Sequence, residues 1–134
     1  MLQRSILLLA VFAQAAVPLI ASGPAAAVDD KAYCVAARQL ALAAESDVGL
    51  WIDKATRNAG MSVSCERRMI EFTRFTYAPS ASMDDAWKQR KAAEWTAAYC
   101  ANPVWSEALR SGWKIVLSVT AADGGQVTVD AQCR

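Results

Sequence analysis

The chain contains no histidine. That absence removes the commonest general base, the commonest zinc ligand and every Ser-His or Cys-His nucleophile arrangement. There is no C-x-x-C pair either, so redox exchange on that motif and zinc held by clustered cysteines are both excluded. An excess of charge is also missing: 14 Lys and Arg face 13 Asp and Glu. Such a balance offers no electrostatic footprint for nucleic acid or an anionic membrane. No phosphate-cradling glycine loop occurs, because Gly124-Gly125 fits a hairpin turn and lacks a following helix. Long apolar runs are scarce, and the one that stands out lies at the amino terminus.

That run extends from Ser5 to Ala21 behind one positive charge, Arg4, and is followed by Gly23, Pro24 and Ala25-Ala26-Ala27. A charged start, a short apolar stretch and an A-x-A site describe a cleavable export signal. As a membrane span it is short of about twenty residues, and Gln14 and Pro18 interrupt it. The expected organisation is a signal peptide over 1–27, cut after Ala27, and a mature domain over 28–134 in the periplasm or secreted. No cysteine stands near the cut, the first being Cys34, so neither a lipid-anchored terminus nor stable membrane insertion is expected. Cleavage removes Arg4 and no acid, which leaves 13 basic against 13 acidic residues in 107.

A domain of that size builds one core, and Trp51, Trp87, Trp95, Trp105 and Trp113 supply large apolar bodies for it. Four widely spaced cysteines in an exported chain are a set that an oxidising compartment can pair. Of three connectivities, Cys34 with Cys65 and Cys100 with Cys133 is expected. Each closes a loop of about thirty residues and contributes on the order of 3 to 4 kcal/mol by restricting the unfolded chain.

Along the mature chain, Asp29 or Asp30 caps a helix in which Tyr33, Ala36, Ala37, Leu40, Ala41 and Ala44 recur at helical spacing. A second helical stretch is read over Leu50–Asn58, ended by Gly60. From Met61 to Tyr77 the residues favour extended structure, and the apolar positions change parity around Arg67-Arg68. One long bulged strand is preferred there, with a hairpin as the alternative. Ser82 with Asp85 resembles the start of a helix over Met83–Tyr99, and Asn102-Pro103 restarts a short one that Gly112 ends.

The last segment alternates apolar and polar residues on both sides of Asp123-Gly124-Gly125, a β-hairpin signal. A three-residue loop that opposes Val119 to Val129 and Leu117 to Ala131 keeps like faces together. That register places Cys133 opposite Ile115, where a helix packed on the inward face can bring Cys100. The fold class is α+β: helices on one face of a short antiparallel sheet, in the order helix, strand, helix, C-terminal hairpin.

Chemistry is sparse. With the cysteines paired no thiolate remains. The adjacent acids Asp29-Asp30 and Asp84-Asp85 stand where helix-start carboxylates are favoured, and Glu66, Glu71 or Asp130 would join an active site only through tertiary contacts. Of a Ser-Lys dyad from Ser111 or Ser118 with Lys114, Ser118 stands four residues from Lys114 along a strand, too far for contact, and no S-x-x-K in a hydrolase context appears. No catalytic residue, metal site or cofactor is assigned, and the chain is not expected to be an enzyme. Two binding features remain: a basic group, Lys88, Arg90 and Lys91 with Arg67 and Arg68, suited to an acidic partner, and the outer edge of the hairpin, able to pair with an incoming strand.

The expectation is a non-catalytic interaction or accessory protein of the envelope, holding an envelope or extracellular protein; the alternative is a small-ligand binder or histidine-free hydrolase built around an aromatic cleft. In architecture alone, such a domain resembles envelope accessory proteins such as secretion pilotins and inhibitors. The absent lipidation cysteine departs from a typical pilotin.

Overall fold

The computed structural model describes residues 30–134, so the export segment read from the sequence lies outside the described residues. Helix α1 spans Asp30–Ala44 and leads through a 3-10 turn at Glu45–Asp47 to strand β1, Thr56–Ser64. Strand β2 (Met69–Thr76) follows, then helices α2 (Asp85–Cys100) and α3 (Pro103–Arg110), then strands β3 (Lys114–Ala121) and β4 (Gln126–Asp130). The strands form one sheet in the order β1-β2-β3-β4.

The sheet is mixed, and this corrects the expected antiparallel arrangement. Strands β1 and β2 are antiparallel, as are β3 and β4, but β2 and β3 are parallel, with Ile70 beside Ile115 and Phe72 beside Leu117. The reason is length. Strand β2 has 8 residues, about 26 Å at strand rise, and α2 has 16, about 24 Å at helical rise. The helix returns the chain to the end where β2 began, so β3 sets out in the same direction.

The second helix expected over Leu50–Asn58 does not form. Side chains compete there for the backbone: the Asp53 carboxylate accepts from Ala55 N at 2.8 Å, and Asn58 Oδ1 accepts from Gly60 N at 3.1 Å. Instead the stretch folds back on β1, with Gly49 N donating to Asn58 O, Asn58 N to Leu50 O and Ile52 N to Thr56 O. Gly60, expected as a helix cap, sits in β1 at φ 134° beside a register shift.

The long bulged strand expected over Met61–Tyr77 is also replaced, by the hairpin alternative. Its turn falls at the parity change: Arg68 N donates to Cys65 O at 3.2 Å and Arg68 takes φ 50°. The C-terminal hairpin has its three-residue loop, but at 122–124. Ala121 N donates to Gly125 O, and Gly124 takes the left-handed position at φ 88°. Val119 therefore opposes Val127, and Leu117 opposes Val129, two residues from the expected register. Ala131, not Cys133, meets Ile115. Asp123 fixes the turn, since its carboxylate accepts from Ser80 N and Oγ and from Gly125 N. A shift of two preserves the faces, so the core is as the alternation implies.

All three helices cover the face that carries Ile70, Phe72, Ile115, Leu117, Val119 and Val129. Tyr33 and Ala37 of α1, Ala108 of α3 and Trp113 close one half of the core; Met83 and the Trp87 side of α2 close the other. Asp84 caps α2 by accepting from Trp87 N, where the sequence pointed to Ser82, and Asn102 caps α3. The disulfides are Cys34–Cys65, tying α1 to the β1–β2 turn, and Cys100–Cys133, tying the end of α2 to the chain beyond β4. Among the described residues no helix is long and apolar enough to cross a membrane.

Candidate functional site

The two edges of the sheet are treated differently by the chain. Along the first half of β1 the residues 49–52 supply backbone partners to Thr56 and Asn58, with a bridge between Trp51 and Arg57. Among the described residues nothing comparable lies along β4. The bonds Ala121 N to Gly125 O and Ala131 N to Ile115 O show that odd-numbered residues of β4 face β3. Gln126, Thr128 and Asp130 therefore turn their N–H and C=O outward, and all three are exposed.

Helix α2 overhangs this edge. Between them runs an open cleft of about 660 Å³, floored by Ala92, Ala93 and Val129 and bounded by Lys88, Asp130 and Arg134. The small alanines leave room for a large side chain. At its far end the outward amide of Gln132 donates to Thr96 Oγ1 of α2 at 3.1 Å, so the free ladder stops there. The cleft is thus an unpaired strand edge beside a helix, a geometry that accepts an extended peptide by main-chain bonds and takes alternate side chains against the helix.

The five basic residues singled out from the sequence are not brought together. Arg67 and Arg68 lie in the β1–β2 turn, where Arg68 pairs with Asp30 at 2.6 Å and Arg67 Nε donates to Ser64 Oγ. Lys88 and Lys91 belong to α2 beside the opposite end of β2, about 20 Å of strand away. Lys88 lines the edge cleft and pairs with Asp85 at 3.2 Å; Lys91 pairs with Glu94 at 2.8 Å and lines a different groove. Arg90 is exposed. Exposed pairs at this spacing are worth a few tenths of a kcal/mol and leave the lysines recruitable.

Two further clefts lie on the helical face, one of about 360 Å³ between residues 52–56 and α2 and one of about 570 Å³ between α1 and α2, and they meet at Arg74 and Ile52, which line both. Trp87 faces one and Trp95 the other, each with a single carboxylate, Asp53 or Asp47. Neither of these two clefts gathers several tryptophans around converging carboxylates. Trp113 is buried against Tyr33, and Trp51 is exposed beneath the Arg57 guanidinium at 4.1 Å. The serines of the conceivable dyad are otherwise engaged: Ser111 Oγ donates to Glu107 O, and Ser118 Oγ accepts from Gln126 Nε2. Among the described residues no three His, Cys, Asp or Glu form a group able to hold a metal.

Arg74 is the residue that sequence reasoning passed over. Its signal was present: in Ile70, Phe72, Arg74, Thr76 the inward parity of β2 carries a cation. Its guanidinium lies over the Trp95 ring at 5.3 Å, and burial pulls its pKa below the ordinary value.

No family model matches the chain, and no curated protein matches it. Two solved structures share its fold. One, from Pseudomonas aeruginosa and provisionally described as a secreted protein, is 14% identical with a TM-score of 0.61 over 80% of this chain and 95% of its own. The other is EpsS, a pilotin of the Vibrio vulnificus type 2 secretion system, 10% identical with a TM-score of 0.55 over 77% of this chain and 90% of its own. At these identities the likeness is one of fold.

Proposed function

We propose that this chain is an exported, non-catalytic accessory protein of the cell envelope, which holds a partner protein by adding an extended segment of it to β4. The observation that carries the reading is the outward ladder of Gln126, Thr128 and Asp130, left unpaired while the opposite edge is partly covered by the chain itself. Three outward N–H and three outward C=O groups, with room for a side chain against Ala92 and Ala93, match strand addition. Support for export comes from the amino-terminal signal pattern and the paired cysteines, which persist in oxidising compartments. The fold is also that of a pilotin and of a protein described as secreted. The absence of histidine, which removes every Ser-His and Cys-His nucleophile arrangement, supports the non-catalytic reading.

The test is capture from the native envelope with the mature protein and its Thr128→Pro variant. Proline there removes an outward N–H and blocks the edge without touching the β3 ladder, as edge strands tolerate. The variant is expected to keep its unfolding free energy in urea within about 1 kcal/mol of the parent and to lose the captured partner, whereas Arg90→Ala retains it. A Thr128→Pro protein that is folded and captures the same partner contradicts strand addition at β4.

A further inference from the structure

The groove between α1 and α2 has features that the β4 edge does not need. Its walls are aliphatic and aromatic, with Leu40, Met61 and Phe72 along its length and Leu50 and Ile52 exposed on its rim. That rim is fixed in place by the backbone bonds of 49–52 to β1, so the groove is preformed. The two clefts that meet at Arg74 fall within the range of small-molecule sites, about 300 to 1,000 Å³.

Arg74 stands at the junction, half-buried, with one face of its guanidinium against Trp95. No carboxylate or carbonyl among the described residues accepts a hydrogen bond from it. Asp53 and Glu94 lie near enough to favour its charge without bonding to it, and Asp47 stands on the rim. The Trp95 indole N–H beside it is buried and likewise has no acceptor. A planar guanidinium stacked on one face retains its edge donors for a bidentate anion.

Apolar side chains line the length of the groove, which decides the body of the ligand. An extended peptide laid in the groove would bury amide groups at about 1 to 3 kcal/mol for each left without a partner. An acyl chain has none to bury. We infer that the α1–α2 groove is a second site, which binds an amphiphilic carboxylate, its acyl chain along Leu40, Met61 and Phe72 and its head on the Arg74 guanidinium.

The probe is dodecanoate below its critical micelle concentration, titrated into the mature protein by calorimetry with Trp95 followed by NMR. Dodecanol and dodecyltrimethylammonium are the neutral and cationic comparisons. Saturable dodecanoate binding, about tenfold tighter than dodecanol, is expected, with shifts at Trp95 and Phe72. Arg74→Met should abolish the preference for the carboxylate, and Arg74→Lys should restore part of it. No saturable dodecanoate binding, equal affinity for dodecanol in the unaltered protein, or undiminished preference in folded Arg74→Met overturns the inference. Because the unaltered protein is itself compared with three ligands, misfolding of a variant leaves the test intact. Thr128→Pro is expected to bind dodecanoate as the parent does, so the two sites succeed or fail separately.

Discussion

Arg74 and Thr128 lie on the same sheet and differ in what they leave unmade: one a side-chain donor on the helical face, the other a backbone pair at the edge. Residues around them are accounted for by packing. Ile115 is fully buried at the centre of the sheet, so Ile115→Ala should cost about 2 to 5 kcal/mol in urea unfolding. Asp84→Ala, which removes an exposed cap, should cost about 1 kcal/mol. An equal cost for the two would contradict the placement of the core. The ionisable residues predict the pH profile. Asp53 is held below the usual carboxylate range chiefly by the Ala55 amide, Glu94 by the hydrogen bond from Lys91, and Asp123 by the amides of Ser80 and Gly125. A lowered folded value contributes stability above the unfolded one, about 3.9 for Asp and 4.3 for Glu, and that contribution is lost as pH falls through the folded value. Tyr99 has the opposite sign: burial pushes it up to about 12. Its contribution is whole below the unfolded value of about 10 and is lost as pH rises through the folded one. With no histidine to titrate, the urea midpoint should be flat from about pH 5 to 7. A midpoint that moves across pH 6 to 7 would count against this assignment.

Elements carried by a local signal were legible in the sequence. The alanine-rich α1, the Asn102-Pro103 start of α3 and the alternating hairpin formed where their residues pointed, and the parity change at Arg67-Arg68 marked a turn even though a bulge was preferred. Elements decided by distant contacts were not. Leu50–Asn58 has helical spacing, yet Asp53 and Asn58 turn it into an edge cover, and the benefit of that cover depends on β1. The hairpin register was displaced by Ser80, 43 residues from the Asp123 that it anchors. The parallel pairing of β2 with β3 follows from the lengths of two elements and from no residue in either. As for the sites, the hairpin edge was readable as an edge, but its openness depends on where α2 lies, and Arg74 was hidden in a pattern read only for apolar residues. The Cys100–Cys133 bridge ties α2 to the chain leaving β4 and so sets one end of the cleft. Replacing both by serine should lower stability by about 3 to 4 kcal/mol in urea and weaken partner capture as well. Unchanged capture by the folded double variant would show that the cleft does not depend on the bridge.

Across the whole molecule, the helices sit on one face of the sheet and leave two openings on different sides of α2. One opening offers backbone groups and room for a side chain; the other offers an apolar groove and a cation. The fold, common to a pilotin and a protein described as secreted, is a small scaffold stapled at both ends of its helical layer, and the open edge is its feature most directly suited to a protein partner. The measurement that bears on this most directly is amide hydrogen exchange, residue by residue, in the protein over residues 28–134, alone and with a partner captured from the envelope. Strand addition predicts that Gln126, Thr128 and Asp130, fast in the free protein, become protected in the complex while the odd-numbered amides of β4 change little. Protection confined to the α1–α2 groove or to the uncovered face of the sheet, with those three amides still fast, would contradict it.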